Sequence, residues 1–147
     1  MKKKNILKYA IFTMLIIVLC GCGKEKLEKS LYRISDINNI TLNIEEIKRT
    51  SAIIKIKDTN GQGNVYGEWY AIEKEIDDSW YQLDTIRDDY FFNDIGYLPN
   101  QNSEVEFIIN WEQLYGSLED GNYRMLKQVN NEYIAVQFTI KSTTPTR

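Results

Sequence analysis

The residues best equipped for chemistry are carboxylates interleaved with aromatic rings. Asp77, Asp78, Asp84, Asp88, Asp89 and Asp94 crowd one stretch, 77–97, with Trp80, Tyr81, Tyr90, Phe91, Phe92 and Tyr97. Two carboxylates held roughly 5–9 Å apart can hydrolyse a glycosidic bond. Several hard oxygens together can bind Ca²⁺, and exposed rings can stack on a ligand. No signature here is complete. With 21 Asp and Glu in 147 residues, acidic pairs meet by chance. Asp58, Asn60 and Gln62 before Gly63 echo the start of a calcium loop, but Trp69 stands where its twelfth position needs Glu.

The chain has no His, which excludes a Ser-His-Asp triad, a Cys-His dyad and His-ligated zinc. No Ser sits in a G-x-S-x-G elbow. The expectation is a protein that is not an enzyme and takes no cofactor and no metal. Its acidic residues then form a solvated rim and most rings form core. If Trp80, Tyr81, Tyr90 and Phe91 are instead exposed together, they make a platform for a carbohydrate or peptide. The formal net charge of −3 argues against nucleic acid as a partner.

The two cysteines belong to the N-terminus. Lys2, Lys3, Lys4 and Lys8 precede an uncharged, mostly apolar run, 9–19, too short to span a bilayer but suited to a secretory signal. The run ends Leu19-Cys20-Gly21-Cys22, which resembles the bacterial lipobox. That resemblance implies cleavage before Cys22 and lipid on its sulfur, hence membrane anchoring outside the cytoplasm. A plain signal anchor with two incidental cysteines is the competing reading. Cleavage removes 21 residues carrying four of the 18 basic groups and none of the 21 acidic ones, leaving 126 residues at −7. No disulfide is then possible, so stability has to come from packing.

Residues 23–36 are charged at first, with Leu27, Leu31 and Ile34 at near-helical spacing. They read as a solvated tether or a short amphipathic helix, with 22–36 forming the lipidated N-terminus and tether. From residue 37 the hydrophobic period becomes two. Ile40, Leu42 and Ile44, then Ala52, Ile54 and Ile56, then Val105, Phe107 and Ile109, then Ile134, Val136, Phe138 and Ile140 each mark one apolar strand face. About seven or eight short antiparallel strands, separated by Asp/Asn/Gly turns, make an all-β sandwich of 37–141 with a short tail, 142–147. The expected strands are 40–47, 51–57, 66–76, 80–83, 104–109, 123–129 and 132–141, with one more somewhere in 87–98. No interior helix is expected.

Leu118, Gly121 and Tyr123 form L-x-x-G-x-Y just before a strand, the pattern of a tyrosine corner, in which the ring packs inside and the hydroxyl bonds local backbone. Together with Tyr70-Ala71-Ile72-Glu73-Lys74, Trp80-Tyr81, and the run from Trp111 to Arg124 and Lys127, this order resembles a bacterial immunoglobulin-like domain family of secreted and lipid-anchored proteins from Gram-positive bacteria. The resemblance implies an immunoglobulin-like β-sandwich and brings no catalytic residues. Glu73 and Lys74 opposite Arg124 and Lys127 are expected to form an exposed charge ladder.

Three functional readings follow. The first is a lipid-anchored extracytoplasmic module with a non-catalytic binding or structural role at the cell envelope. Its partners would be the membrane through Cys22 and an unidentified envelope protein or glycan. The second is a carbohydrate- or peptide-binding domain using 77–97. The third, least supported, is a carboxylate-based hydrolase.

Overall fold

In a computed structural model, the described residues are 27–61 and 63–142. The signal segment 1–21, Cys22 and all of the tail beyond Ser142 lie outside them. The strands are β1 (Ile40–Ile47), β2 (Ser51–Asp58), β3 (Tyr66–Gly67), β4 (Tyr70–Ile76), β5 (Ser79–Gln82), β6 (Gly96–Tyr97), β7 (Glu104–Asn110), β8 (Gly121–Val129) and β9 (Glu132–Ile140). A single helical turn, α1 (Glu112–Tyr115), follows β7.

Two antiparallel sheets, β1–β2–β7 and β5–β4–β8–β9, face one another as a sandwich. The period-two pattern explains which side each strand buries. Ala52, Ile54 and Ile56 meet Val105, Phe107 and Ile109 in register within one sheet, and Ile72, Tyr123 and Met125 face them from the other. Asp77 and Asp78 both take positive φ, 48° and 57°, which suits the two-residue turn between β4 and β5.

Three features differ from the sequence reading. The expected strand 66–76 is broken at Glu68 and Trp69, so that β3 pairs with β6 while β4 pairs with β5 and β8. The unplaced strand in 87–98 is β6, two residues long. The run after Trp111 contains α1, which the strand pattern did not signal.

The expected tether is also different where it is described. Gln82 N–H donates to the Glu28 carbonyl at 2.8 Å, Ser30 N–H to Trp80 at 2.9 Å, and Ser35 N–H to Tyr133 at 2.8 Å. This strap therefore runs from β5 at one side of the four-stranded sheet to β9 at the other, across its outer face. Tyr32 packs there against Trp69 and Tyr133, with ring centroids 5.8 and 4.9 Å away. Leu126 is on that outer face, outside the main core, yet is 0% exposed. The apolar spacing of Leu27, Leu31 and Ile34 thus belongs to neither a helix nor a free tether. Backbone hydrogen bonds to two sheet edges hold the segment extended, although Leu31 itself stays exposed.

The crossing from β7 to β8 is fixed at one point. The Arg49 carbonyl, between β1 and β2, accepts the Trp111 indole N–H at 2.9 Å and the Leu118 N–H at 2.9 Å. Trp111 and Leu118 are buried. Gly116 closes α1 at φ 70° and ψ −158°, a conformation open to glycine and costly for a residue with Cβ. Tyr123 is buried and donates its hydroxyl to the Glu119 carbonyl at 3.0 Å, which closes the corner. Tyr123→Phe leaves that carbonyl without its partner and should lower unfolding free energy by about 1–3 kcal/mol in urea titration.

Candidate functional site

The sandwich is open along one side. β5 pairs with only the second half of β4, and on the other sheet β7 is an edge strand. The connection 83–103 has to pass between these edges, and it fills the gap with its aromatic residues. Phe92 packs on Tyr70 and Tyr90, centroids 5.1 and 5.2 Å apart, and Tyr97 packs on Phe107 at 5.2 Å.

Tyr70, Tyr90 and Phe92 form a ridge with a groove on each side. The groove toward β4 encloses about 390 Å³ and is lined by Tyr32, Trp69 and Tyr115, with Arg87 and Asp88 at its rim. The groove toward β7 encloses about 290 Å³, between Glu68 and Tyr97 on one wall and the β7 edge on the other. Burial pushes the Tyr115 hydroxyl up to about 12, and burial raises Tyr70 as well, followed by the nearby Tyr90 and Tyr115. These phenols remain protonated at neutral pH and act as hydrogen-bonding walls rather than bases.

The four rings singled out from sequence do not converge. Trp80 and Tyr81 are neighbours in β5 and so face opposite sides of the sheet. Trp80 lies over the Arg124 guanidinium at 4.6 Å on the strapped outer face. Tyr90 lines both grooves, and Phe91 beside it is 85% exposed. Trp69, Tyr32 and Tyr115, which complete the larger groove, were missed in that role. Trp69 interrupts a strand, Tyr32 belonged to the supposed tether, and Tyr115 sat inside a structural motif. Their only signal was ring size, which does not separate core from groove.

The aspartates of 77–97 are exposed, but two other carboxylates, Asp58 and Glu68, are committed to the fold. Asp58, 1% exposed, accepts from Asn60 N–H at 2.9 Å, Asn64 Nδ2 at 2.8 Å and the Tyr66 hydroxyl at 2.8 Å. Burial alone would raise its pKa, but these donors outweigh it and hold the carboxyl below the usual range. The calcium-like spacing is therefore a loop clasp whose oxygens already face N–H and O–H groups. Among the described residues no cluster of three potential ligand side chains is poised for a metal. Glu68 is also held below the usual carboxylate range, first by Asn93 and then by Tyr97, whose groups donate at 2.8 and 2.9 Å.

The charge ladder expected on the surface is not exposed. Glu73 is 0% exposed and bonds Arg124 Nε at 2.6 Å, under the strap, where Arg124 also reaches the Ser30 hydroxyl at 3.2 Å. Among the described residues Glu73 Oε1 has no hydrogen-bond partner. Among the described residues Lys127 pairs with no carboxylate. It is buried, donates to the Gly67 carbonyl at 2.6 Å and lies 4.0 Å from the Phe107 ring centre.

Burial pulls the Lys127 amine down to about 8, partly opposed by the charge of Glu68. Below pH 8 the folded state bears the cost of a desolvated ammonium, on the order of 3 kcal/mol. Between this value and the ordinary 10.5 the unfolded chain binds more protons, so stability rises with pH. Above about pH 10 the raised tyrosines Tyr66, Tyr70 and Tyr115 act in the opposite sense, because they ionise first in the unfolded chain. Denaturant titrations should show unfolding free energy increasing by about 1.5 kcal/mol from pH 8 to 9.5. Lys127→Met should flatten that rise; a flat wild-type profile would contradict the buried ammonium.

A family model described as the bacterial Ig-like domain matches residues 35–139. That span begins at Ser35, where the strap meets β9, and ends one residue before β9 does. No curated protein and no solved structure matches the chain. The match covers most of the sequence and coincides with a mostly antiparallel β-sandwich closed by a tyrosine corner: the chain belongs to the bacterial Ig-like domain family.

Proposed function

We propose that this protein is a lipid-anchored extracytoplasmic module, held at the cell envelope through Cys22, with a non-catalytic binding role. One observation carries the binding half. The connection 83–103 exposes Ile86, Phe91, Ile95 and Leu98, and Ile108 of β7 is exposed beside it. Four exposed apolar side chains on one connection, with a fifth on the edge strand beside it, suit an interaction surface. The family supports a structural or binding module.

The anchoring half rests on the lysine-rich start, the 9–19 apolar run and Leu19-Cys20-Gly21-Cys22. No helix among the described residues is long and apolar enough to cross a membrane. The strap is bonded to β5 from Glu28 onward, so five residues separate it from Cys22 and reach at most about 20 Å. A lipid on Cys22 would thus hold the sandwich close to the headgroups, with β5 as its attached edge.

A second reading, a carbohydrate or peptide in the larger groove, is favoured by that groove's aromatic walls, its Arg87 and Asp88, and its volume of about 390 Å³.

In a bacterial host, the wild-type chain should incorporate labelled palmitate and fractionate with membranes, and Cys22→Ala should do neither. Normal labelling of Cys22→Ala would refute the anchor. A glycan array tests the second reading: any binding should fall about tenfold in Tyr90→Ala, and binding unchanged by that substitution would place the ligand elsewhere.

A further inference from the structure

The β7 edge is open at its centre. Asp58 N–H bonds the Ser103 carbonyl and Trp111 N–H bonds the Thr50 carbonyl. Between these two points β2 and β7 keep one unbroken register. Antiparallel pairing alternates, so Val105, Phe107 and Ile109 direct their peptide groups to β2. Glu104, Glu106, Ile108 and Asn110 direct theirs outward. The two ends are occupied. Asn100 takes both groups of Glu104, its N–H donating to the carbonyl and its Oδ1 accepting the N–H, and the Asn110 carbonyl accepts from the Tyr70 hydroxyl. Among the described residues, Glu106 and Ile108 have no partner for their outward N–H and C=O groups.

The surroundings are chemically specific. Ile108 is 80% exposed, without the proline, lysine or covering loop by which edges are usually blunted. Glu106 stands opposite Lys55, but the Lys55 ammonium is placed against Glu104 at 3.8 Å, and among the described residues Glu106 has no ion pair. The groove beside the edge carries Glu68 and the rings of Tyr90, Phe92 and Tyr97. Its far wall belongs to a connection bearing Asp84, Asp88, Asp89 and Asp94 against a single Arg87, itself paired with Asp89. The fold already accepts an added strand elsewhere, since Glu28 and Ser30 bond to the free side of β5.

The geometry points to the β7 edge as a strand-addition site for an extended, basic segment of a partner protein. Such a segment pairs its backbone with Glu106 and Ile108. It sets a Lys or Arg against Glu106 and lays alternate apolar side chains over the aromatic groove. This rests on the binding half of the proposed function, not on the anchor, so each can fail alone: the Cys22→Ala fractionation reads only anchoring. A second copy of this chain is the poorer occupant, because it brings the same carboxylates to the same edge.

The test uses the full chain in a non-ionic detergent and a capped, fluorescent peptide of roughly nine alternating Lys and Val residues, a typical strand length. Binding should be measurable by anisotropy below about 1 mM and weaken with salt. It should slow hydrogen exchange at the Glu106 and Ile108 amides about tenfold, read by NMR. Ile108→Pro removes the outward N–H while sparing the β2 ladder, and should weaken binding at least tenfold. If that variant does not fold, Glu106→Lys, a solvent-facing change, should weaken the Lys/Val peptide about tenfold and improve a Glu/Val peptide. Any of four results overturns the proposal: no binding up to about 1 mM, equal binding of the Glu/Val peptide to wild type, unchanged exchange at these amides with peptide bound, or amides already protected by a dimer without peptide.

Discussion

One carbonyl oxygen, that of Arg49, sets where the chain can cross between the two sheets. It accepts from the Trp111 indole and from the Leu118 amide, while the Arg49 guanidinium binds the Leu118 carbonyl and Asp120. The turn between β1 and β2 and the crossing from β7 to β8 therefore grip each other at both ends of one residue. Each contact answers a problem of burial, since an indole N–H or an amide taken from water without a partner costs a few kcal/mol. Once the crossing is fixed, β8 enters the second sheet at Gly121 with Tyr123 turned inward onto Phe138, ring centroids 5.6 Å apart. The register of β8 with β4 and β9 follows from there.

The open side is a consequence of that register. β8 positions β4 from Tyr70 to Lys74, but the tight Asp77–Asp78 turn sends the chain back as β5 for only four residues. On its β5 side the first half of β4 is thus left without a strand, and among the described residues β7 has no neighbour beyond β2. A connection rich in both aromatic and acidic residues suits this position. Phe92 and Tyr97 turn inward to seal the core's flank, while the aspartates and Phe91 stay in water. The composition of 77–97 reflects a segment with two environments.

Much of the sandwich was legible because a strand with one buried face must alternate. The ranges of β1, β2, β7, β8 and β9 lie close to those read from that pattern. The corner was legible because Tyr123 bonds backbone only four residues away, at Glu119, while the missing side chain of Gly121 leaves room for Lys74 and the Tyr123 ring. The strap was not, because extended chain held by edge hydrogen bonds has no compositional period, and its three apolar residues happen to fit helical spacing. Nor was the burial of Glu73, Arg124 and Lys127. Charged types normally report solvent, and only the tertiary placement of the strap and of Phe107 reverses that. The same limit applies to the grooves. Trp69 and Tyr115 look like core residues in sequence, and what makes them walls is the short reach of β5.

The buried charges also explain why this domain can be specific without a disulfide. Lys127 stabilises little in itself, since burial disfavours its ammonium. Its amine, however, has one place to donate, the Gly67 carbonyl at 2.6 Å, and one ring, Phe107, to rest on. Gly67 belongs to β3 and Phe107 to β7, so a single side chain from β8 meets both strands. Any slip of β7 along β2 would move Phe107 off the amine and leave it only the Gly67 carbonyl, in a place where burial already disfavours the ammonium. The edge that carries Glu106 and Ile108 is therefore held in one register from beneath, by a group that never touches its outer face. That rigidity suits an edge that must present its peptide groups at fixed spacing.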